Sequence, residues 1–317
     1  MLLLSGIYMP VSAQMCAGTK VILLDTLVND GTEWHLEFSD EFDATALDLS
    51  VWEGKISSQG ALDGSDAYRT LDNVTVSPET YYGESTSATG VCLINLKQET
   101  VVRPATFWDP GSPVLTYHYT SADVVSKQQF SWGKYEIRCK LPKGKGFTTS
   151  FWMYGEQNKI GNEIDVFEMN NEYNILGEYD EKLLCKVPEM HYHLWDKTAS
   201  LAGIDNNCGT YTGNARTTDY SEDFHTFTLV WDRWALSWYI DGRLIKSAGQ
   251  WYDLNGNIVT AANIKPMQVV LRNDWYPTNL MAIIFALNIE SGKGAPDNSV
   301  SLPASMLIDY IRYYKKN

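Results

Sequence analysis

The sequence predicts an all-β sandwich or barrel. Short runs rich in β-branched and aromatic residues recur along the chain, broken by Gly, Asn, Asp and Pro. No apolar pattern of 3.6-residue period is sustained, which argues against alternating strands and helices. Asp241-Gly242 directly follows Trp238-Tyr239-Ile240, a tight hairpin signal.

Taken in order, the clearest strands are 21–24, 91–97, 134–141, 150–154, 163–169, 226–231, 236–240, 268–271, 282–287 and 307–314. Two stretches read as long loops. Residues 170 to 221 are polar and turn-rich, with a few short strands possible. Residues 246 to 263 contain Asp253-Leu254-Asn255-Gly256-Asn257, another turn signal. Long loops on a sandwich usually border a binding site.

A chain of 317 residues fits one large β domain or two ordinary ones. No low-complexity linker and no fixed repeat divides it, so one domain from about residue 30 to 317 is the economical reading. Met1-Leu2-Leu3-Leu4, running on to Val11-Ser12-Ala13, resembles a secretory signal (residues 1–13) that lacks a basic start. Residues 14–29 would then be a linker, and the protein would be secreted or exported to the cell envelope. Cys16 sits in no convincing lipidation motif. No later segment approaches 18 uninterrupted apolar residues, so no transmembrane segment is expected.

The net charge of −14 argues against nucleic acid as a partner and against strongly anionic polymers. Eleven Trp and 19 Tyr exceed what the core requires and leave some rings for stacking on sugar faces. Of the five cysteines, Cys185 and Cys208 could close a ring of about 23 residues, worth roughly 3 kcal/mol on the loop-entropy model. Cys92 and Cys139 read as small core residues. No Cys/His spacing suggests zinc.

The most informative segment is Glu163-Ile164-Asp165-Val166-Phe167-Glu168. Alternation puts Glu163 and Asp165 on one face of a strand, with Ile164 and Val166 on the other. Continued strictly, it would send Glu168 into the apolar layer, where a lone carboxylate costs several kcal/mol. A β-bulge at Val166–Phe167 removes the conflict, returning Glu168 to the acidic face and Phe167 to the core. Two acids facing one bond are what glycoside hydrolysis needs.

The preceding runs carry the same alternation. Trp152 and Tyr154 share one face of their run, and Glu136 and Arg138 share one face of theirs. The short connection 155–162 makes the Trp152 run an antiparallel neighbour of the acidic strand. Three consecutive strands would then assemble one face bearing Glu136, Arg138, Trp152, Tyr154, Glu163, Asp165 and Glu168.

These segments resemble glycoside hydrolase family 16. Glu163–Glu168 is similar to its active-site signature in the bulged form. The run from Trp132-Gly133-Lys134 to Leu141-Pro142 resembles the strand before the site, and Phe38-Ser39-Asp40-Glu41-Phe42 the opening strand. His225 to Trp231 with Ile240-Asp241-Gly242 resembles the central hairpin, and Ile308-Asp309-Tyr310-Ile311-Arg312 the last strand. The resemblance implies a β jelly-roll sandwich of two curved antiparallel sheets with a concave substrate cleft.

It further implies a retaining endo-glycosidase acting on a β-linked polysaccharide. Glu163 would be the nucleophile, Glu168 the general acid/base, and Asp165 the acid between them that helps set their ionisation. The charge on Glu163 should favour the protonated form of Glu168 until Glu163 is esterified. Trp152, Tyr154, Glu136 and Arg138 match substrate-binding positions. His191 and His193 could reach the cleft, although lone histidines are more often structural. Catalysis should need no cofactor. A structural calcium, common in the family, would use Glu41 and Asp309. The protein should act as a monomer.

Departures leave the sugar open. Met169-Asn170-Asn171 leads into a long polar region where laminarinase-like members have a compact segment. Ala286 replaces a residue often polar, and residues 268–275 look like added material. A β-1,3- or mixed-linkage glucan is the leading substrate, with a β-galactan of the agarose, porphyran or carrageenan type as the alternative. A non-catalytic sugar-binding jelly roll would usually have lost Glu163 or Glu168, and both are present.

Overall fold

The computed structural model describes residues 19–24, 33–54, 67–105, 111–171, 184–196, 218–289, 296 and 300–316. The signal-like residues 1–13, Cys16 and Cys208 lie outside them.

The chain forms β1 (Thr19–Leu24), β2 (Trp34–Asp40), β3 (Trp52–Gly54), β4 (Tyr68–Arg69), β5 (Val74–Tyr82), β6 (Ser87–Pro104), β7 (Val114–Phe130), β8 (Gly133–Lys140) and β9 (Thr148–Gln157). It continues through β10 (Ile160–Asn170), β11 (Glu189–Asp196), β12 (His225–Trp231), β13 (Ala235–Ile240), β14 (Arg243–Gly249), β15 (Trp251–Tyr252), β16 (Gln268–Asn273), β17 (Met281–Asn288) and β18 (Ala304–Lys316). Each strand read from the sequence is present. Among the described residues the one helical element is a single 3-10 turn, Leu71–Asn73.

The main ladder runs β11-β10-β9-β17-β7-β6-β18-β8-β12-β13-β14. It folds over on itself as a jelly roll, with the long strands β6 and β7 at the bend. Its pairings are antiparallel apart from the short β4 against β7. One layer ends in β9, β10 and β11, the other in β12, β13 and β14. Between them sits one core. Tyr135, Ile137 and Cys139 of β8 point in from one side, and Phe151, Met153, Ile164, Val166 and Phe167 from the other, all fully buried. Phe167 meets Phe227 across the layers with ring centroids 4.3 Å apart.

Two tight turns fix the registers that matter. Asp241 and Gly242 both have positive φ (49° and 75°), the twist that joins right-twisted strands without splaying them. Asn158 and Lys159 do the same (53° and 65°) between β9 and β10. Gly155 stands where a side chain has no room, since a Cβ there would lie 1.8 Å from the Leu280 carbonyl oxygen.

Three expectations change. The stretch taken as a linker contains β1, which pairs along its whole length with β16. The apparently added residues 268–275 therefore supply the centre of a separate three-stranded sheet, β1-β16-β15. Cys185 carries a free, buried thiol that donates to the Pro142 carbonyl at 3.4 Å, so it does not form the bridge that its spacing from Cys208 allowed.

Candidate active site

The ladder shifts register between Asp165 and Phe167 against β9, and between Asp165 and Glu168 against β11. This is the bulge that the misplaced acid demanded. Val166 and Phe167 are both fully buried, while Glu163 and Glu168 remain partly exposed on the opposite, concave face. Two consecutive apolar residues therefore enter the core and the acids stay in one row.

β9 presents its aromatic pair beside that row. Tyr154 is directly across from Glu163, and Trp152 directly across from Asp165. Both rings are half-buried, 6.5 Å apart and edge to face. The Tyr154 hydroxyl donates to Glu156 at 3.2 Å. On the far side of β9, Ala282, Ile284 and Ala286 of β17 pair with Tyr154, Trp152 and Ser150. They give the floor a smooth apolar continuation.

β11 completes the site from within the stretch read as loop. Its burial alternates: Met190, Tyr192 and Leu194 enter the core, and Glu189, His191 and His193 join the acid row. His193 is across from Glu163, His191 across from Asp165, and Glu189 across from Glu168. His193 Nε2 approaches Asp165 Oδ2 at 3.3 Å, and His191 Nε2 approaches Glu189 at 3.3 Å. The period-two pattern Glu-x-His-x-His was the available signal for this strand. The polar surroundings of residues 170 to 221 obscured it.

Asp165 is the most enclosed acid, at 2% exposed. Burial pushes its carboxyl well above the usual range and the charge of Glu168 pushes the same way. His191 and Lys246 oppose them. The Asp165 backbone is held from behind, where Trp238 of β13 donates its indole N–H to the Asp165 carbonyl at 2.9 Å. Sequence reasoning had no means of finding this cross-layer contact.

Glu136 and Arg138 do not join the site. β8 lies between β18 and β12 in the other layer, and its outward row faces away from the cleft. There Glu136 pairs with Lys134 at 3.1 Å, and Arg138 with Asp309. Alternation gave their face correctly, but chain order did not give their layer. The calcium residues fare similarly. Arg312 grips Glu41 with two donors, at 2.9 and 2.7 Å, and holds its carboxyl below the ordinary range. With Asp309 neutralised by Arg138, the two acids do not fit a cation site.

Among the described residues, Glu163, Asp165 and His193 bring donor atoms within 4.8 Å of one another, as do Glu168, Glu189 and His191. Carboxylates flanked by an aromatic wall can attack an anomeric carbon from one side and exchange a proton with the leaving oxygen.

The profile of glycosyl hydrolases family 16 matches residues 93–281. The chain is 25% identical over 292 residues to glucan endo-1,3-beta-glucosidase A1 of Niallia circulans, covering 89% of this chain but only 38% of that longer enzyme. It is 24% identical to the beta-glucanase of Rhodothermus marinus over 89% of this chain and 85% of the relative. The laminarinase catalytic domain of Thermotoga maritima superposes with a TM-score of 0.60 at 26% identity, over 90% of this chain and all of that one. With its profile match, its jelly roll and its bulged row of acids in agreement, the chain belongs to glycosyl hydrolase family 16.

Proposed function

We propose that the protein is a retaining endo-β-glycanase that cleaves internal bonds of a β-1,3- or mixed-linkage glucan. The observation that carries this reading is the bulge, which sets Glu163, Asp165 and Glu168 in one row while sinking two apolar residues between them. Glu163 attacks the anomeric carbon as Glu168 protonates the departing glycosidic oxygen, leaving a glycosyl ester on Glu163. Glu168, now ionised, takes a proton from water, which attacks the same carbon and frees Glu163. Asp165 holds the two acids' proton inventory between these steps. Trp152 stacks against a sugar face and Tyr154 offers a hydroxyl beside it.

The glucan is favoured over a sulfated galactan by the lining. The concave rows of β9, β10, β11 and β17 carry acids, histidines, aromatic rings and small apolar residues. A sulfated chain would need basic side chains there. Glucanases and sulfated-galactan hydrolases both occur among the relatives, so the choice rests on the lining. A polymeric substrate and the apolar start of the chain together support export as the place of action.

The test is purified protein against laminarin, lichenan, agarose, porphyran, carrageenan and xyloglucan, with proton NMR of the first products. Internal cleavage of laminarin or lichenan with β-configured new ends is expected. Cleavage confined to galactans would replace the substrate, and α-configured first products would overturn the mechanism.

A further inference from the structure

Lys246 is an unusual residue to find where it is. It lies on β14, paired with Trp238 of β13, at the end of the ladder farthest in order from the acids. The folding-over of the ladder brings that end back against β11. Lys246 Nζ donates to the Met190 carbonyl of β11 at 2.8 Å and sits 4.8 Å from the centre of the Trp238 ring. Trp238 in turn donates to the Asp165 carbonyl. A lysine and a tryptophan from one layer thus grip two adjacent strands of the other, at the points where those strands carry the site.

We propose that Lys246 is a positioning residue for catalysis: it ties β11 to the back of the acid strand and draws the proton shared by Asp165 and Glu168 towards Glu168. This rests on the reading of Glu168 as acid/base. The acid row places like charges side by side, and two neighbouring carboxylates settle on one proton between them. Only the arrangement with the proton on Glu168 is productive. Burial alone would put it on Asp165, the more enclosed of the two. A cation behind Asp165 works against that preference by favouring its ionised form.

The titratable group that acts on Lys246 is Asp165, which is itself surrounded by Glu168 on β10 and by Glu189, His191 and His193 on β11. β13 contributes the uncharged Trp238. Burial lowers the Lys246 ammonium to about 7, with Asp165 pulling the other way. The support is therefore present in acid and fades as pH rises through neutrality.

The test compares Lys246→Met and Lys246→Arg with the wild type, by kcat/KM on laminarin across pH and by melting temperature. Lys246→Met should lower the plateau about tenfold and move the acid limb up by about one pH unit, the scale of one lost charge interaction, leaving the alkaline limb, where wild-type Lys246 is uncharged, in place. Lys246→Arg, charged throughout, should keep the wild-type acid limb and move the alkaline limb down, because a lasting cation draws off the last shared proton sooner. A Lys246→Met profile of wild-type shape overturns the proposal, as does an Arg variant that behaves like Met. Infrared titration of the protonated carboxyl in wild type and both variants needs no substrate. An upward shift in Met that is absent in Arg supports the proposal even if the glucanase reading fails, and equal titrations overturn it. Should the Met variant fail to fold, Lys246→Arg decides by itself, an alkaline limb left in its wild-type place overturning the proposal.

Discussion

Two rows of charged side chains run along this sandwich, one on each outer face, and they differ in balance. On β8 and β18, Lys134 meets Glu136, Arg138 meets Asp309, and Arg312 meets Glu41. Every acid there has its own base. On β10 and β11 the row is Glu163, Asp165, Glu168 and Glu189 with two histidines, and the nearby lysine lies behind the sheet. Both rows have the same period-two pattern. The balanced row holds a surface together. In the unbalanced one, carboxylates are pressed close enough to compete for protons, which is a cost to folding and a resource for chemistry.

The sharpest way to break the comparison is to neutralise one member of each row. Glu163→Gln keeps shape and removes the attacking oxygen, so activity on the glucan should fall at least about a thousandfold, roughly 4 kcal/mol of barrier. The melting temperature should hold. Ordinary turnover in that variant would remove the catalytic assignment.

Asp165→Asn tests the strain in the row. The folded carboxyl titrates above its unfolded value, so its contribution to stability is present below the unfolded pKa, near 4, and is lost as pH rises through the folded one. The amide carries no such cost. The variant should therefore gain melting temperature relative to wild type at pH 7 and gain little at pH 4, while losing activity. An equal gain at both pH values would mean that the site is not strained by charge.

The smallest effect belongs to the balanced row. Glu136→Gln should cost about 1 kcal/mol or less in urea unfolding, as surface ion pairs do, and leave kcat/KM within about twofold. A large loss of activity there would return β8 to the cleft.

Much of this contrast could be read from the sequence. The bulge followed from one misplaced acid, because Glu168 could not be buried alone. The phase of Trp152 and Tyr154 followed from the short connection to Glu163. The error at Glu136 and Arg138 is equally physical: alternation tells which side of a strand a residue takes, not which layer the strand joins. Between β8 and β9 the chain crosses from one layer to the other, and no local pattern marks the crossing. His191, His193 and Lys246 stayed hidden for a related reason. Their roles arise from pairing between distant strands, which composition near each residue does not encode.

One feature of the ladder bears on how the protein wears out. Among the described residues β11 is an end strand, paired on one edge only, and yet it supplies Glu189, His191 and His193 beside the acids. End strands open more readily than central ones, exposing their amides without global unfolding. Hydrogen exchange in β11 should therefore run ahead of exchange in β9 and β17. On gentle warming, catalytic competence should disappear while the sandwich is still folded, and return on cooling.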